Sequence, residues 1–304
     1  MGMKVKTAYV KYTSALLLFG SNGIVASFIL LNSYEIVFWR TLIGSMFLIF
    51  VFALSKQKVQ FWRHKTHFMN IVISGIAMGT SWMFLFEAYA QIGVSIASLV
   101  YYCGPVIVMV LSPLLFKEKM TSAKLFGFLA VIIGMLFVNG QAVFEDRNSW
   151  GLLCGIISAI TYAIMVVFNK KAKSISGLEN AVCQLFTSFI TVAIFISLKQ
   201  GVSVNGIQGN LIPIFFLGVV CTGIGCYFYF SSIGDLPVQT VSILGYLEPL
   251  AALIFSAAIL GEKLSFVQIA GAFLILGGTA FGELFRPKKK MIAKDEGKRH
   301  CDEA

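Results

Sequence analysis

Glu248 stands beside Pro249 inside the apolar stretch LGYLEPLAALIF. A charge at the centre of a bilayer costs about 2.5–3.5 kcal/mol on insertion scales, so a carboxyl in such a stretch marks a path for an ion or a substrate. Glu248 is the candidate proton-responsive group and belongs to the expected substrate-binding set. Arg40 and Glu35 read as gating residues: Arg40 pairs with Glu87 or Glu35 to shut the outer gate, or forms a static interfacial ion pair, and Glu87 also belongs to the expected substrate-binding set. Asn22, Trp82, Tyr101, Tyr102, Tyr162 and Tyr246 combine ring surface with hydrogen-bonding groups in apolar runs and are expected to line a cavity. Trp39, Trp62 and Trp150 sit at run ends, where tryptophan anchors at the membrane interface. Pro105 and Pro249 each remove a backbone donor at mid-run, so each is expected to kink its helix and expose carbonyls beside the cavity.

Other chemistries find no purchase. Cys103, Cys154, Cys183, Cys221 and Cys226, five of the six cysteines, lie inside apolar runs, with no CxxC pair or Cys/His cluster; they read as small buried residues rather than metal or redox groups. His64 and His67 belong to KQKVQFWRHKTH (56–67), an amphipathic segment suited to the surface of anionic lipid. No GxxxxGK[ST], HExxH or GxSxG occurs, so neither ATP hydrolysis nor an embedded enzyme is indicated, and no cofactor is expected. The formal charge of +10 is spread between apolar runs and over the last twenty positions. Nucleic acid is therefore not an expected partner.

The elements that must hold these residues are membrane helices. Charged residues make up 12% of the chain, against roughly 25% in soluble domains. Ten apolar runs fall at 12–31, 36–54, 68–90, 94–116, 123–144, 150–168, 181–198, 211–232, 237–260 and 266–285, each near the ~20 residues that span a bilayer. The first run follows Lys4, Lys6 and Lys11 as a signal peptide would, but another span starts within five residues, so a retained helix is expected. With the N-terminus inside, 20 of the 24 Lys and Arg residues fall on cytoplasmic segments. That asymmetry predicts a multi-pass protein of the cell (inner or plasma) membrane with both termini in the cytoplasm.

Sliding the chain against itself by 144 positions aligns Tyr102 with Tyr246, Pro105 with Pro249, Ser112 with Ser256, Glu118-Lys119 with Glu262-Lys263, Gly127 with Gly271 and Gly134 with Gly278. Compositional bias would match Leu, Ile and Val rather than these residue types. The shift covers five spans, an odd number, so equivalent helices are expected to run in opposite directions, as in many secondary carriers. The expected fold is all-α and integral to the membrane, with ten transmembrane helices as two inverted five-helix repeats around a central cavity. The expected division is a cytoplasmic N-terminus (1–11), a first repeat (12–144), a second repeat (145–285) and a basic cytoplasmic tail (286–304). Gly75/Gly79, Gly151/Gly155 and Gly278/Gly282 allow close helix contact; span ten is expected to pack on span five or to form a homodimer face.

The runs FWR (38–40), FEAYAQIGVSIASLVYYCGP (86–105), KEKMT (117–121) and LGYLEPLAALIFSAAILGEKLSFVQIAGAFLILGG (244–278) resemble the EamA-type branch of the drug/metabolite transporter superfamily. The resemblance extends to about Phe285. It implies ten helices in inverted repeats, a cavity role for Tyr102–Pro105 and Tyr246–Pro249, and export of amino acids or related metabolites. The expected function is a secondary transporter of a small metabolite working by alternating access, with a small-molecule substrate, protons and membrane lipid as partners. The competing readings are a flippase or efflux protein for lipid-linked or hydrophobic compounds, and a membrane-embedded enzyme.

Overall fold

Hydrocarbon offers no partner to a backbone N–H or C=O, so apolar runs of this length fold into helices that satisfy those groups internally. The computed structural model describes residues 3–57, 59–139, 149–199, 208–261 and 264–284, where all regular elements are helical. The first run becomes α1 (Met3–Gly20) and, past a break at Ser21, the short α2 (Asn22–Ser27). Next come α3 (Ser33–Leu54), α4 (Lys65–Ile92), α5 (Val94–Tyr101), α6 (Cys103–Phe116) and α7 (Ser122–Asn139). The second half holds α8 (Ser149–Lys171), α9 (Gly177–Lys199), α10 (Leu211–Phe216), α11 (Gly225–Ser232), α12 (Val238–Gly245), α13 (Leu247–Phe255) and α14 (Phe266–Leu284). A π-helical stretch, Leu217–Ile224, joins α10 to α11, and another, Ser256–Leu260, extends α13.

Among the described residues, eight helical stretches are long and apolar enough to cross a membrane. The two other expected spans are also helical: α7 is apolar but shorter, and α1 carries Lys4, Lys6 and Lys11. Phe50, Leu114, Phe126, Phe215, Phe266 and Phe273 are exposed, which only a hydrocarbon surround tolerates on this scale. Polar side chains turn inward instead. Ser81 and Ser158 donate to each other's carbonyls at 2.9 and 2.7 Å, and Ser74 donates to the Met165 carbonyl at 2.7 Å, joining α4 to α8. Asn169, Asn180 and Gln184 form a buried amide network between α8 and α9: Asn169 and Asn180 exchange bonds at 3.0 Å, and Asn169 also donates to Gln184 at 3.1 Å. Removing one member strands the others away from water. Asn180→Leu is expected to cost about 1–3 kcal/mol, seen as a lower thermal midpoint in detergent; an unchanged midpoint would show the network to be neutral.

The glycines decide how helices from the two halves meet. A Cβ on Gly127 would lie 2.5 Å from the Gly278 carbonyl oxygen, and one on Gly134 would lie 2.7 Å from that of Gly271. Numbers rise along α7 as they fall along α14, so these two helices are antiparallel. α3 and α9 behave alike: Phe38 meets Phe189, and Gly44 meets Leu185. Span ten thus packs on span five. Gly75 and Gly79 pack on Thr187 and Thr191 of α9, and Gly151 and Gly155 on Ile92 and Val100. Glu262 and Lys263, the linker 140–148 and the tail from 285 onward lie outside the described residues.

The fourth and ninth runs are each interrupted, at Tyr102 and at Tyr246. Pro105 and Pro249 come three residues later, in the first turn of α6 and of α13. Helix N–H groups there have no intrahelical acceptor, so a missing donor costs little. The breaks therefore fall on the tyrosines, and the prolines begin the second segments. The Tyr246 hydroxyl donates to the Tyr102 carbonyl at 2.8 Å and ties one break to the other.

The bundle has two distinguishable ends. Lys4, Lys11, Lys170 and Lys173 come together at one, called here the basic end; Ser33 and Ala90 mark the far end, with Lys199 beside Tyr34. At the far end the Glu87 carboxylate accepts from Lys199, from Gln91 at 3.1 Å and from Trp150 at 3.3 Å, while Lys199 also donates to the Tyr34 hydroxyl at 2.8 Å.

Candidate functional site

Helix breaks bring charge and polarity to the middle of the bundle. Glu248 sits in the first turn of α13, whose N-terminal N–H groups favour a negative charge. The break at Tyr246 therefore supplies a helix N-terminus where the acid needs one. From the first half, Arg40 of α3 reaches the same space, its guanidinium carbon 4.5 Å from the centre of the Trp82 ring. That contact is a cation–π interaction. Arg40 is buried, and its Nε has no hydrogen-bond partner; the buried Asn22 Oδ1, at the start of α2, has none either.

Arg40 and Glu248 line one central cavity with Asn22, Ser81, Trp82, Tyr101, Tyr162 and Tyr229, and Phe19, Met78, Met165, Cys226 and Phe230 complete the wall. Every helix-bearing half contributes. A wider space of about 580 Å³ shares Phe19, Asn22, Arg40, Trp82, Tyr101 and Glu248 with it and extends past Tyr89, Tyr102 and Ser98 to Leu31, Ser33 and Ala90 at the far end. This lies within the range of cavities that hold small molecules, ~300–1,000 Å³.

Toward the basic end the cavity is closed. Tyr12, Val108, Tyr229, Phe230, Val241 and Leu244 are buried together, and the Tyr12 hydroxyl donates to the Val241 carbonyl at 2.9 Å. Beyond this plug lies a separate polar vestibule of about 840 Å³ lined by Lys4, Lys11, Glu118, Asn169, Lys170 and Asp235 among others. Two charged side chains hold the turn from α11 to α12 at its mouth. Lys170 donates to the carbonyls of Ile233 at 2.6 Å, Gly234 at 3.1 Å and Leu236. The Glu118 carboxylate accepts the N–H groups of Val238 at 2.7 Å and Gln239 at 3.0 Å.

Of the residues expected from sequence, Asn22, Trp82, Tyr101, Tyr162, Glu248 and Arg40 meet in the central cavity, and Tyr102 lines its wider part. Tyr246, Pro105 and Pro249 are buried in packing and do not line it. Glu87 lines neither the central cavity nor its wider part and does not meet Arg40: Lys199 is its cation, because α9 ends beside α4 at the far end. Glu35 is buried in the first turn of α3 and lines neither space. The gate pairing of Arg40 with Glu87 or Glu35 thus gives way to an Arg40 facing the cavity. Of the wall residues that sequence reasoning missed, Met78 lies one turn before Trp82 on the same face of α4, a spacing that could have found it, while Ser81, next to Trp82 in the chain, carries no such signal.

The EamA-like transporter family matches this chain twice, over residues 8–140 and 149–282. An uncharacterized transporter, YxxF of Bacillus subtilis (strain 168), is 26% identical over 95% of this chain and 93% of its own length. A probable amino-acid metabolite efflux pump of Salmonella typhimurium (strain LT2) is 29% identical over 60% of this chain and 65% of its own. A solved crystal structure superposes with a TM-score of 0.78 at 18% identity, over 92% of this chain and 98% of that one, a likeness of fold. With its apolar helices and two family matches that together span nearly its whole length, this chain belongs to the EamA-like transporter family of multi-pass membrane proteins.

Proposed function

We propose that the protein is a secondary transporter that exports a small metabolite, an amino acid or related compound, across the cell membrane by alternating access. The observation that carries this reading is the central cavity between the halves, walled by both, extending to one end and plugged at the other. Two inverted five-helix repeats would exchange these roles: the plug opens as the far end closes. The antiparallel contacts of α7 with α14 and of α3 with α9 support such a relation. In this reading the basic end faces the cytoplasm with both termini, and the described arrangement is outward-open. The amino-acid metabolite named for the Salmonella relative supports the substrate class.

Counterflow in proteoliposomes tests the proposal. Vesicles preloaded with one unlabelled amino acid are expected to accumulate the same compound in labelled form from outside. Exchange of none of the twenty amino acids or their close relatives, together with transbilayer movement of a labelled lipid, would replace the carrier by a flippase. If protons couple the cycle, Glu248→Gln is expected to flatten the pH dependence of net efflux. A variant with an unaltered pH profile removes Glu248 from that role.

A further inference from the structure

Arg40 and Glu248 share a cavity without forming an ion pair within 4.0 Å. Buried charges that lack counter-ions are costly and persist where something else completes them. Neither charge is required by the repeated fold. The positions 144 residues away are Gln184 and Gly104, both neutral. One charge comes from each half, Arg40 from α3 and Glu248 from α13. Arg40 offers an unpartnered Nε–H, and its guanidinium already rests on the Trp82 ring. The rest of the wall is mostly ring and thioether surface from Phe19, Met78, Tyr101, Tyr162 and Met165.

Resting on the transporter reading, we infer that the site takes a zwitterion in one orientation: its carboxylate on Arg40, its ammonium on Glu248, and an apolar side chain against Met78 and Met165. A monoanion leaves the half-buried Glu248 unpaired, and a monocation leaves the buried Arg40 so. A zwitterion satisfies both and adds no net charge to the hydrocarbon. It also bridges the seam, because its two ends hold different halves. Cargo thereby acts as the missing ion bridge between halves, and the empty site lacks it. Charge-assisted hydrogen bonds of this type are directional enough to reject an analogue that lacks one partner.

The test uses the full chain in detergent and three matched probes: leucine, leucinamide (no carboxylate) and 4-methylpentanoate (no ammonium). Ligands that bind the folded state raise its thermal midpoint by mass action. Leucine is expected to bind at least about tenfold more tightly than either analogue. Arg40→Gln is expected to erase the advantage of leucine over leucinamide while leaving its advantage over 4-methylpentanoate. Glu248→Gln should do the reverse. A merely structural role would weaken all three probes equally in either variant, and that result overturns the inference. The comparison of probes on the unaltered chain needs no variant to fold. If an analogue binds as well as leucine and is exchanged in counterflow, the assignment falls and the transporter stands. If no amino acid or analogue is exchanged at all, the transporter reading itself falls.

Discussion

Gly278→Ala is expected to destabilise the protein, while the same change one residue earlier, Gly277→Ala, is expected to stabilise it. A Cβ on Gly278 would stand 2.5 Å from the Gly127 carbonyl oxygen and 3.0 Å from the Ala130 Cβ. Backbone on a packed helix cannot swing aside as a flexible side chain can. The α7–α14 contact must open, and overpacking of this kind costs about 1–3 kcal/mol. A Cβ on Gly277 meets nothing within 4 Å. There the substitution only removes the glycine penalty of about 1 kcal/mol in a helix interior. Opposite shifts of the thermal midpoint for adjacent positions of one helix are the expected pattern. Two shifts of the same sign would mean that α14 does not approach α7 as described.

Lys170→Met is expected to loosen the basic end and to shift the protein away from the arrangement described. One ammonium holds three carbonyls at the end of α11, and the Glu118 carboxylate holds the first N–H groups of α12. Each places the favourable charge at a helix terminus. Hydrogen bonds to a charged group contribute about 1.5–3 kcal/mol each, and methionine retains the stem while losing all of them. In a chain whose own cysteines are replaced, a cysteine at Val241, inside the plug, is expected to react faster with a maleimide once Lys170 is changed. A cysteine at Ala90, at the mouth of the wider space, should react more slowly. Lys170→Arg keeps the charge and should restore both rates in part. Equal rates in all three proteins would show that the turn does not hold the plug closed.

Much of the architecture is legible along the chain, for a physical reason. Membrane helices are set by local hydropathy, since hydrocarbon demands that backbone hydrogen bonds close internally and a helix closes them within one segment. The described parts of the ten runs fall mostly on helices, with ends displaced where polar residues continue a helix beyond the hydrocarbon, as at 3–12 and 65–68. The break at Ser21 and the π-helical stretch Leu217–Ile224 leave no such trace. Both lie against a neighbour: a Cβ on Gly20, beside the break, would stand 2.6 Å from the Ala251 Cβ, and Gly218 and Gly223 sit under Ile43 and Phe47 of α3.

The candidate site divides similarly. Glu248 and Arg40 declare themselves by type, because a charge in an apolar run needs a reason to be there. Which charges meet is another matter. By their places along their runs Arg40 and Glu87 look like partners, yet α9 delivers Lys199 to Glu87 and leaves Arg40 on the central cavity. Tyr102 and Tyr246 are equivalent by position, yet one lines the open space and the other is buried as a donor to the first. Hydropathy, charge asymmetry and the 144-residue shift are properties of one chain read in order, so they predict spans, their number and a doubled unit without reference to packing. Partner choice among charges, and the difference between two equivalent tyrosines, arise from distances between residues far apart in the chain; they exist only once the helices have packed.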